Sequence, residues 1–250
     1  MRRDSSETKR KILTVCVRLF LEQGYKNTSV SQIVDEAGVA RGSYLNLFPT
    51  KDRILLELTE TMFGGQFGVA RSIADSKLPP VYAYAVETAI QLTLTELNEN
   101  LREIYIEAYT QKEASEYILQ ETAKELYQIF GSYQPQLTPR DFYDMEIGSA
   151  SIMRGYMAHP CAEVLTLEKK VRLFLTMSLR AYHVPAEEIE AAIRFVEGLD
   201  IRAIAEQVMQ ELFQELAMHF EFSLAELAAS TKQEEATTCS RGNAQTESEV

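Results

Sequence analysis

Arg41, Ser43 and Asn46 place three different hydrogen-bonding groups on a short stretch of the chain. An arginine guanidinium can bind O6 and N7 of guanine as a bidentate pair or can bind a phosphate, and an asparagine amide can bind N6 and N7 of adenine. A serine hydroxyl can meet several base edges. This spacing indicates contact with the edges of bases, although the same residues would also suit the solvated face of an ordinary helix.

The segments around these residues predict a helix-turn-helix at about residues 28–48. Apolar residues recur with helical spacing from Val30 to Ala37, which predicts one short helix. Gly38 can take the positive φ that a tight turn between two packed helices requires. A further helix begins near residue 40 and ends before Pro49, because proline disfavours helical conformation in the residue that precedes it.

The two hydroxyl residues Thr28 and Ser29 stand where the first of these short helices begins. Either can cap that helix, and both can donate a hydrogen bond to a phosphate, which the helix N-terminus itself also attracts. Such contacts orient a domain on a duplex without reading its sequence. Gly42, which lacks a side chain, would let the backbone approach a groove closely.

These features together resemble the TetR family of bacterial regulators. The resemblance covers roughly residues 5–65 and implies a three-helix domain over residues 1–50, whose last helix enters the major groove. It also implies that Lys51 binds a phosphate at the start of the fourth helix. The matching residues are Gly24, Tyr25, Thr28, Ser29, Val30, Ile33, Ala37, Gly38, Val39, Arg41, Gly42, Ser43, Phe48, Lys51 and Asp52.

The chain departs from the family pattern at two places. Ala40 stands where a serine is usual, which weakens the N-cap by about 1 kcal/mol. Tyr44 and Leu45 stand where the family has an apolar residue followed by tyrosine, so a phosphate-binding hydroxyl is lost and Leu45 can instead touch a thymine methyl. We therefore predict DNA contacts from Thr28, Ser29, Arg41, Gly42, Ser43, Tyr44, Leu45, Asn46 and Lys51.

The charge distribution is uneven along the 250 residues. The net charge of −12 disfavours a nucleic-acid partner at first sight, because a polyanion attracts basic surface. Residues 1–53, however, hold ten Lys and Arg against six Asp and Glu, whereas residues 54–250 hold 15 against 31. A basic N-terminal part on an acidic body would direct that part to DNA, and the alternative is a chance fluctuation of solvated charge.

The rest of the chain reads as helices throughout, so we expect an all-α fold with a larger helical C-terminal domain at residues 51–229. Residues 230–250 have almost no large apolar side chains and predict a disordered tail. The helices are predicted from Thr50 toward Asp75 and at about 81–98, 101–110, 114–130, 141–158, 166–182, 186–197 and 200–229.

The resemblance implies that this C-terminal domain forms a homodimer and binds a small-molecule effector. The helices at 166–182 and from 200 onward have broad apolar faces that suit a dimer interface, or else form the internal core of a monomer. Seven large side chains are candidates for an effector pocket, with ordinary core packing as the alternative: Phe63, Phe67, Tyr105, Tyr109, Tyr127, Met153 and Tyr156.

Several classes of protein are disfavoured. His159, His183 and His219 lie in separate segments, with neither an HExxH motif nor a Gly-rich phosphate loop, so we expect no enzyme, no cofactor and no metal site. No window of about 18 residues lacks charge, and the N-terminus has no apolar export segment, so we expect no membrane partner. The cysteines are far apart, which favours a reducing cytoplasm.

The sequence thus favours a ligand-responsive repressor that binds a palindromic, double-stranded operator as a homodimer. A TetR-like interaction adaptor that has lost direct DNA binding is the alternative, and Leu45 motivates it. The effector, the operator sequence and the direction of regulation are left open.

Overall fold

A computed structural model describes residues 2–64, 68–74 and 79–225 of the chain. Within these ranges all regular elements are α-helices, which confirms the predicted all-α class. The helices are α1 (Arg2–Gln23), α2 (Val30–Ala37), α3 (Arg41–Leu47), α4 (Asp52–Phe63), α5 (Gly68–Ala74), α6 (Pro80–Leu97), α7 (Glu99–Ala108), α8 (Lys112–Phe130), α9 (Pro139–Met157), α10 (Leu167–Ala181), α11 (Ala186–Glu197) and α12 (Ile201–Phe220).

One compact unit contains α1, α2, α3 and the end of α12 from Phe213. Helix α1 directs an apolar stripe inward, and α1, α2 and α3 pack against one another in pairs. Between the helices, Gly24 and Gly38 have φ values of 86° and 62°, which confirms the positive φ predicted for Gly38. The buried side chains of α1, α2 and α3 include Ile12, Cys16, Phe20, Ile33 and Tyr44.

The second unit runs from Thr50 to Leu212 and is built around α6. Helix α6 packs against α5, α7, α8, α9, α10 and α11, so it is buried on nearly all sides. A helix in such a position is expected to be apolar all round. Glu87, Thr88 and Gln91 of α6 are nevertheless buried, and they bring polar groups into the interior of the unit.

Two predicted helices have different bounds in the structure. The helix expected from Thr50 toward Asp75 is described as α4 and α5, with residues 65–67 between them outside the described part. The helix predicted to end at 229 ends at Phe220, so that bound is wrong. Glu221 takes a left-handed φ of 57°, and the Phe222 amide donates to the Ala217 carbonyl oxygen at 3.1 Å, which closes the helix.

The predicted domain bounds of 1–50 and 51–229 stay a prediction, and the compact units differ from them in assigning the end of α12 to the N-terminal unit. The predicted tail at 230–250 lies outside the described residues. Among the helices that are described, none is long and apolar enough to cross a membrane.

Candidate functional site

The N-terminus of α2 is capped by Ser29. Ser29 has extended φ and ψ of −93° and 151°, and its Oγ accepts a hydrogen bond from the Gln32 amide at 3.1 Å. The side chain is exposed at the helix end. The predicted cap is therefore confirmed for Ser29, and the exposed end of the helix can still attract an anion.

The side chain of Thr28 has a different role from the one expected. It is 1% exposed, and its hydroxyl donates to the Gly24 carbonyl oxygen at 2.8 Å. Because a hydroxyl carries a single proton, this bond uses the donor that a phosphate contact would require. The expected capping by Thr28 is corrected to a bond that ties the start of α2 to the end of α1, and its phosphate contact stays a prediction that this bond disfavours.

Helix α3 presents the predicted recognition residues on one exposed surface. Arg41, Ser43 and Asn46 are all exposed, and within the described ranges their side chains form no hydrogen bond or ion pair. A Cβ built on Gly42 would have no atom within 4 Å. We call Arg41, Gly42, Ser43 and Asn46 the recognition surface. Its hydrogen-bond donors and acceptors are available to a ligand.

Tyr44 and Leu45, which are adjacent in α3, differ in their exposure to solvent. Tyr44 is fully buried, and its ring centroid lies 6.2 Å from that of Phe48, so its position does not support the predicted DNA contact by its side chain. Leu45 is 45% exposed and adds an apolar group beside the recognition surface. Ala40 occupies the N-cap position in extended conformation without a side-chain cap, as its residue type predicts.

The orientation of α2 relative to α1 is fixed by polar contacts. Arg18 of α1 pairs with Glu22 at 2.6 Å and also with Glu36 of α2. The Gln23 and Gln32 side chains add a hydrogen bond of 2.8 Å between the same two helices. These bonds brace α1 against α2, the helix that precedes the recognition surface of α3.

Lys51 belongs to the second unit. It occupies the N-cap position of α4, where its carbonyl oxygen accepts hydrogen bonds from the amides of Ile54 and Leu55. Its side chain is partly exposed, so the predicted phosphate contact stays a prediction.

The predicted effector residues are dispersed within the second unit. The Phe63 ring lies 5.9 Å from Tyr105 and 6.2 Å from Tyr109 in edge-to-face geometry, which makes one aromatic cluster. Tyr127 is 40% exposed, and Tyr156 is partly exposed. Phe67 lies outside the described residues.

A small cavity of about 20 Å³ lies between α6, α8, α9 and α10 at the end of α7. Tyr109 and Met153 are the two predicted effector residues that line it. The other lining residues were not predicted from the sequence, and they are Tyr84, Thr88, Gln91, Thr122, Glu146, Ser149, Ala150 and Phe174. The polar residues within the otherwise apolar α6 could have indicated Thr88 and Gln91, whereas no comparable signal marks the lining residues of α8, α9 and α10.

Glu146 is the acidic residue of this cavity. It is 4% exposed and accepts hydrogen bonds from Ser149 Oγ and from the Tyr182 hydroxyl at 3.4 Å. Burial raises the pKa of Glu146 to about 7, although these two hydrogen bonds act to lower it. No lysine, arginine or histidine of the described ranges forms an ion pair with Glu146.

Helix α10 has two apolar faces. Val171, Phe174, Leu175 and Leu179, which suggested a dimer interface, are all buried within the chain, so the core alternative holds for them. Leu173 and Met177 are 38% and 48% exposed on another face of the same helix.

The sequence comparison agrees with the geometry of α1 to α3. Residues 12–58 match the family model described as "Bacterial regulatory proteins, tetR family". Over these residues the chain is similar to the TetR family.

Relatives share this TetR-type region. The chain is 29% identical over 97 residues to the "Uncharacterized HTH-type transcriptional regulator YuxN" of Bacillus subtilis (strain 168), covering 39% of this chain and 31% of that protein. It is 37% identical over 59 residues to the "HTH-type transcriptional regulator AcrR" of Shigella flexneri, covering 24% of this chain and 27% of that protein. The matches thus span less than a third of the length of either relative.

A solved structure titled "Crystal structure of gamma-butyrolactone receptor (ArpA like protein)" is also similar. It aligns with a TM-score of 0.40 and 17% identity, over 82% of this chain and 98% of that chain.

Proposed function

We propose that this chain is a DNA-binding transcriptional regulator of the TetR type. The observation that carries the proposal is the recognition surface, in which Arg41, Ser43 and Asn46 are exposed and have no side-chain partner within the described ranges. The surface lies on a seven-residue helix that follows a capped helix and a left-handed glycine turn. A helix presented in this way suits the major groove.

The proposed regulator acts as a homodimer on a palindromic operator. Two recognition helices about one duplex turn apart supply the specificity that one short helix lacks. The exposed apolar residues Leu173 and Met177 of α10 support a dimer surface, because apolar groups on a helix gain most by burial against a partner. Sedimentation analysis of Met177→Lys against the wild type tests this surface, and an unchanged dimer rules it out.

DNA binding is tested by fluorescence anisotropy with the duplex upstream of the chain's own gene and with a scrambled duplex. We expect Arg41→Ala to lower specific affinity by about tenfold or more, since a bidentate base contact contributes about 1–3 kcal/mol. Arg140→Ala is the matched control, because Arg140 is an exposed arginine of α9 that pairs with Asp144 and lies over the Tyr143 ring of the same helix. Equal, salt-dependent binding to both duplexes by all three proteins would contradict the proposal.

The regulator is further proposed to be a repressor that an effector releases. A ligand shifts a population only if it binds two conformations with different affinity, so the effector must favour a conformation that binds the operator poorly. The cavity lined by Tyr109, Glu146 and Met153 is the proposed effector site.

An interaction adaptor without DNA binding is the second candidate. The exposed Leu45 favours it, since an apolar side chain on α3 is suited to a protein surface as well as to a thymine methyl. Absence of specific and non-specific DNA binding at low salt would favour the adaptor.

A further inference from the structure

The cavity has an acidic lining residue and no basic one. The acidic residue is Glu146, whereas most of the others are aromatic rings or uncharged polar groups. A carboxylate removed from water is costly unless a cation or several hydrogen bonds compensate it. Here Ser149 and Tyr182 provide two hydrogen bonds and no described basic side chain provides a charge.

A second carboxylate lies close to the same cavity. Glu87 is 9% exposed on α6 and accepts a hydrogen bond from Gln91, a lining residue, at 3.0 Å. Tyr109 is within electrostatic range of both Glu87 and Glu146, and burial together with these charges raises the pKa of Tyr109 well above its ordinary value. Two carboxyl groups therefore lie near Tyr109, and one of them, that of Glu146, lines the cavity directly.

The aromatic rings that line the cavity suit an organic cation. Tyr84, Tyr109 and Phe174 line the cavity, and the Tyr109 hydroxyl forms no hydrogen bond with any described residue. Aromatic faces attract cations, and a phenol oxygen can accept a hydrogen bond from an ammonium group. An organic ammonium compound matches both the carboxylate and the rings, whereas a neutral ligand offers no charge to the ionised form of Glu146.

We propose that this cavity binds a small organic ammonium compound, with Glu146 as its counter-ion and Tyr84, Tyr109 and Phe174 around its hydrocarbon part. This inference rests on the proposed function, because it names the class of the proposed effector. The cavity has room for about one water molecule, so ligand entry must move side chains. Met153 is suited to that movement, since a methionine side chain is unbranched and adaptable.

The test uses benzylamine as the probe and benzyl alcohol as its neutral counterpart, with binding to the full-length chain measured by calorimetry. We expect benzylamine to bind about tenfold or more tightly than benzyl alcohol. Glu146→Gln should weaken benzylamine about tenfold and leave benzyl alcohol unchanged. Asp144→Asn is the matched control, because Asp144 lies on the same helix with an exposed side chain and should leave both affinities unchanged.

The pH dependence gives a measurement that needs no variant. The titratable groups around Glu146 are Tyr84 and Glu87 of α6, Tyr109 at the end of α7 and Tyr182 at the end of α10, whereas α8 contributes the uncharged Thr122. Benzylamine stays protonated between pH 6 and 8, and Glu146 loses its proton there. Benzylamine affinity should therefore rise over this range, while benzyl alcohol affinity should not.

Three results would overturn the inference: no saturable binding of benzylamine, equal affinity for the two probes, or an unchanged benzylamine affinity in a folded Glu146→Gln protein. Operator binding is measured in parallel on the same samples. Specific DNA binding without benzylamine binding rejects the cation site and leaves the regulator intact. Benzylamine binding without specific DNA binding supports the cation site and rejects the regulator.

Discussion

The ammonium group of Lys170 lies 2.5 Å from Oε1 of Glu96 in the interior of the second unit. Lys170 is fully buried, and Glu96 also accepts a hydrogen bond from the Cys161 amide at 2.9 Å and pairs with Arg102 at 3.4 Å. Burial alone would raise the pKa of Glu96, but these partners outweigh it and lower that pKa. The pair ties α10 to the end of α6.

Replacing Glu96 by glutamine should destabilise the protein by about 3 kcal/mol, because it leaves the buried charge of Lys170 without its counter-ion. Chemical denaturation measures the free energy of unfolding. The control is Asp144→Asn, which breaks an exposed pair with Arg140 and should change that free energy by less than about 1 kcal/mol. Similar losses in the two variants would show that the buried pair has no special importance.

Glu146 should make the protein less stable as the pH rises. Its pKa is about 7 in the folded chain against an ordinary value of 4.5, so between these values the folded state binds more protons than the unfolded state. The free energy of unfolding should therefore fall, relative to Glu146→Gln, by roughly 2–3 kcal/mol between pH 5 and pH 8. Urea denaturation of both proteins at each pH measures this, and parallel curves would contradict it.

Gly42→Ala should separate folding from DNA recognition. The new Cβ meets no atom within 4 Å, and alanine favours a helix over glycine by up to about 1 kcal/mol, so we expect a small gain in stability. Operator affinity should nevertheless fall by about tenfold, because the methyl group keeps the backbone from the groove. Gly155→Ala in α9 also has open space and should leave affinity unchanged. Full operator affinity in Gly42→Ala would show that the backbone at Gly42 does not approach the DNA closely.

His183→Gly should stabilise the chain by about 1 kcal/mol. His183 is exposed and has a φ of 59°, a left-handed conformation that costs an L residue about 1–2 kcal/mol and that glycine adopts freely. Thermal unfolding at fixed pH measures the gain. Gln207→Gly is the control: it places glycine in the middle of α12 and should lower stability by about 1 kcal/mol. A loss of stability in both variants would mean that contacts of the His183 side chain stabilise the fold by more than its left-handed φ costs.

The helix ends near the recognition surface could be predicted because local residues determine them. Gly38 and Pro49 stop their helices through backbone geometry alone, and the Ser29 cap bonds an amide three residues away. The orientation of Thr28 could not be predicted, because its hydroxyl can either point to solvent or bond Gly24, and only the packing of α1 on α2 decides between them.

The polar cavity and the faces of α10 depend on contacts between distant segments. Periodicity shows that α10 has apolar residues, but it does not tell which of them the chain buries itself, as with Leu175, and which stay exposed, as with Met177. Likewise Glu146 lies on a helix of ordinary composition. Its surroundings include Tyr182, which is 36 residues further along the chain and donates a hydrogen bond to it.

The ion pairs of Arg18 with Glu22 and Glu36 reduce the positive charge that the N-terminal unit can offer to a duplex. Arg10 is also neutralised, through Glu221. Each phosphate that a protein neutralises displaces about 0.9 counterion from B-DNA. The number of ions released on binding should therefore be set by the residues at the DNA surface, and it should fall well below the ten basic residues of positions 1–53.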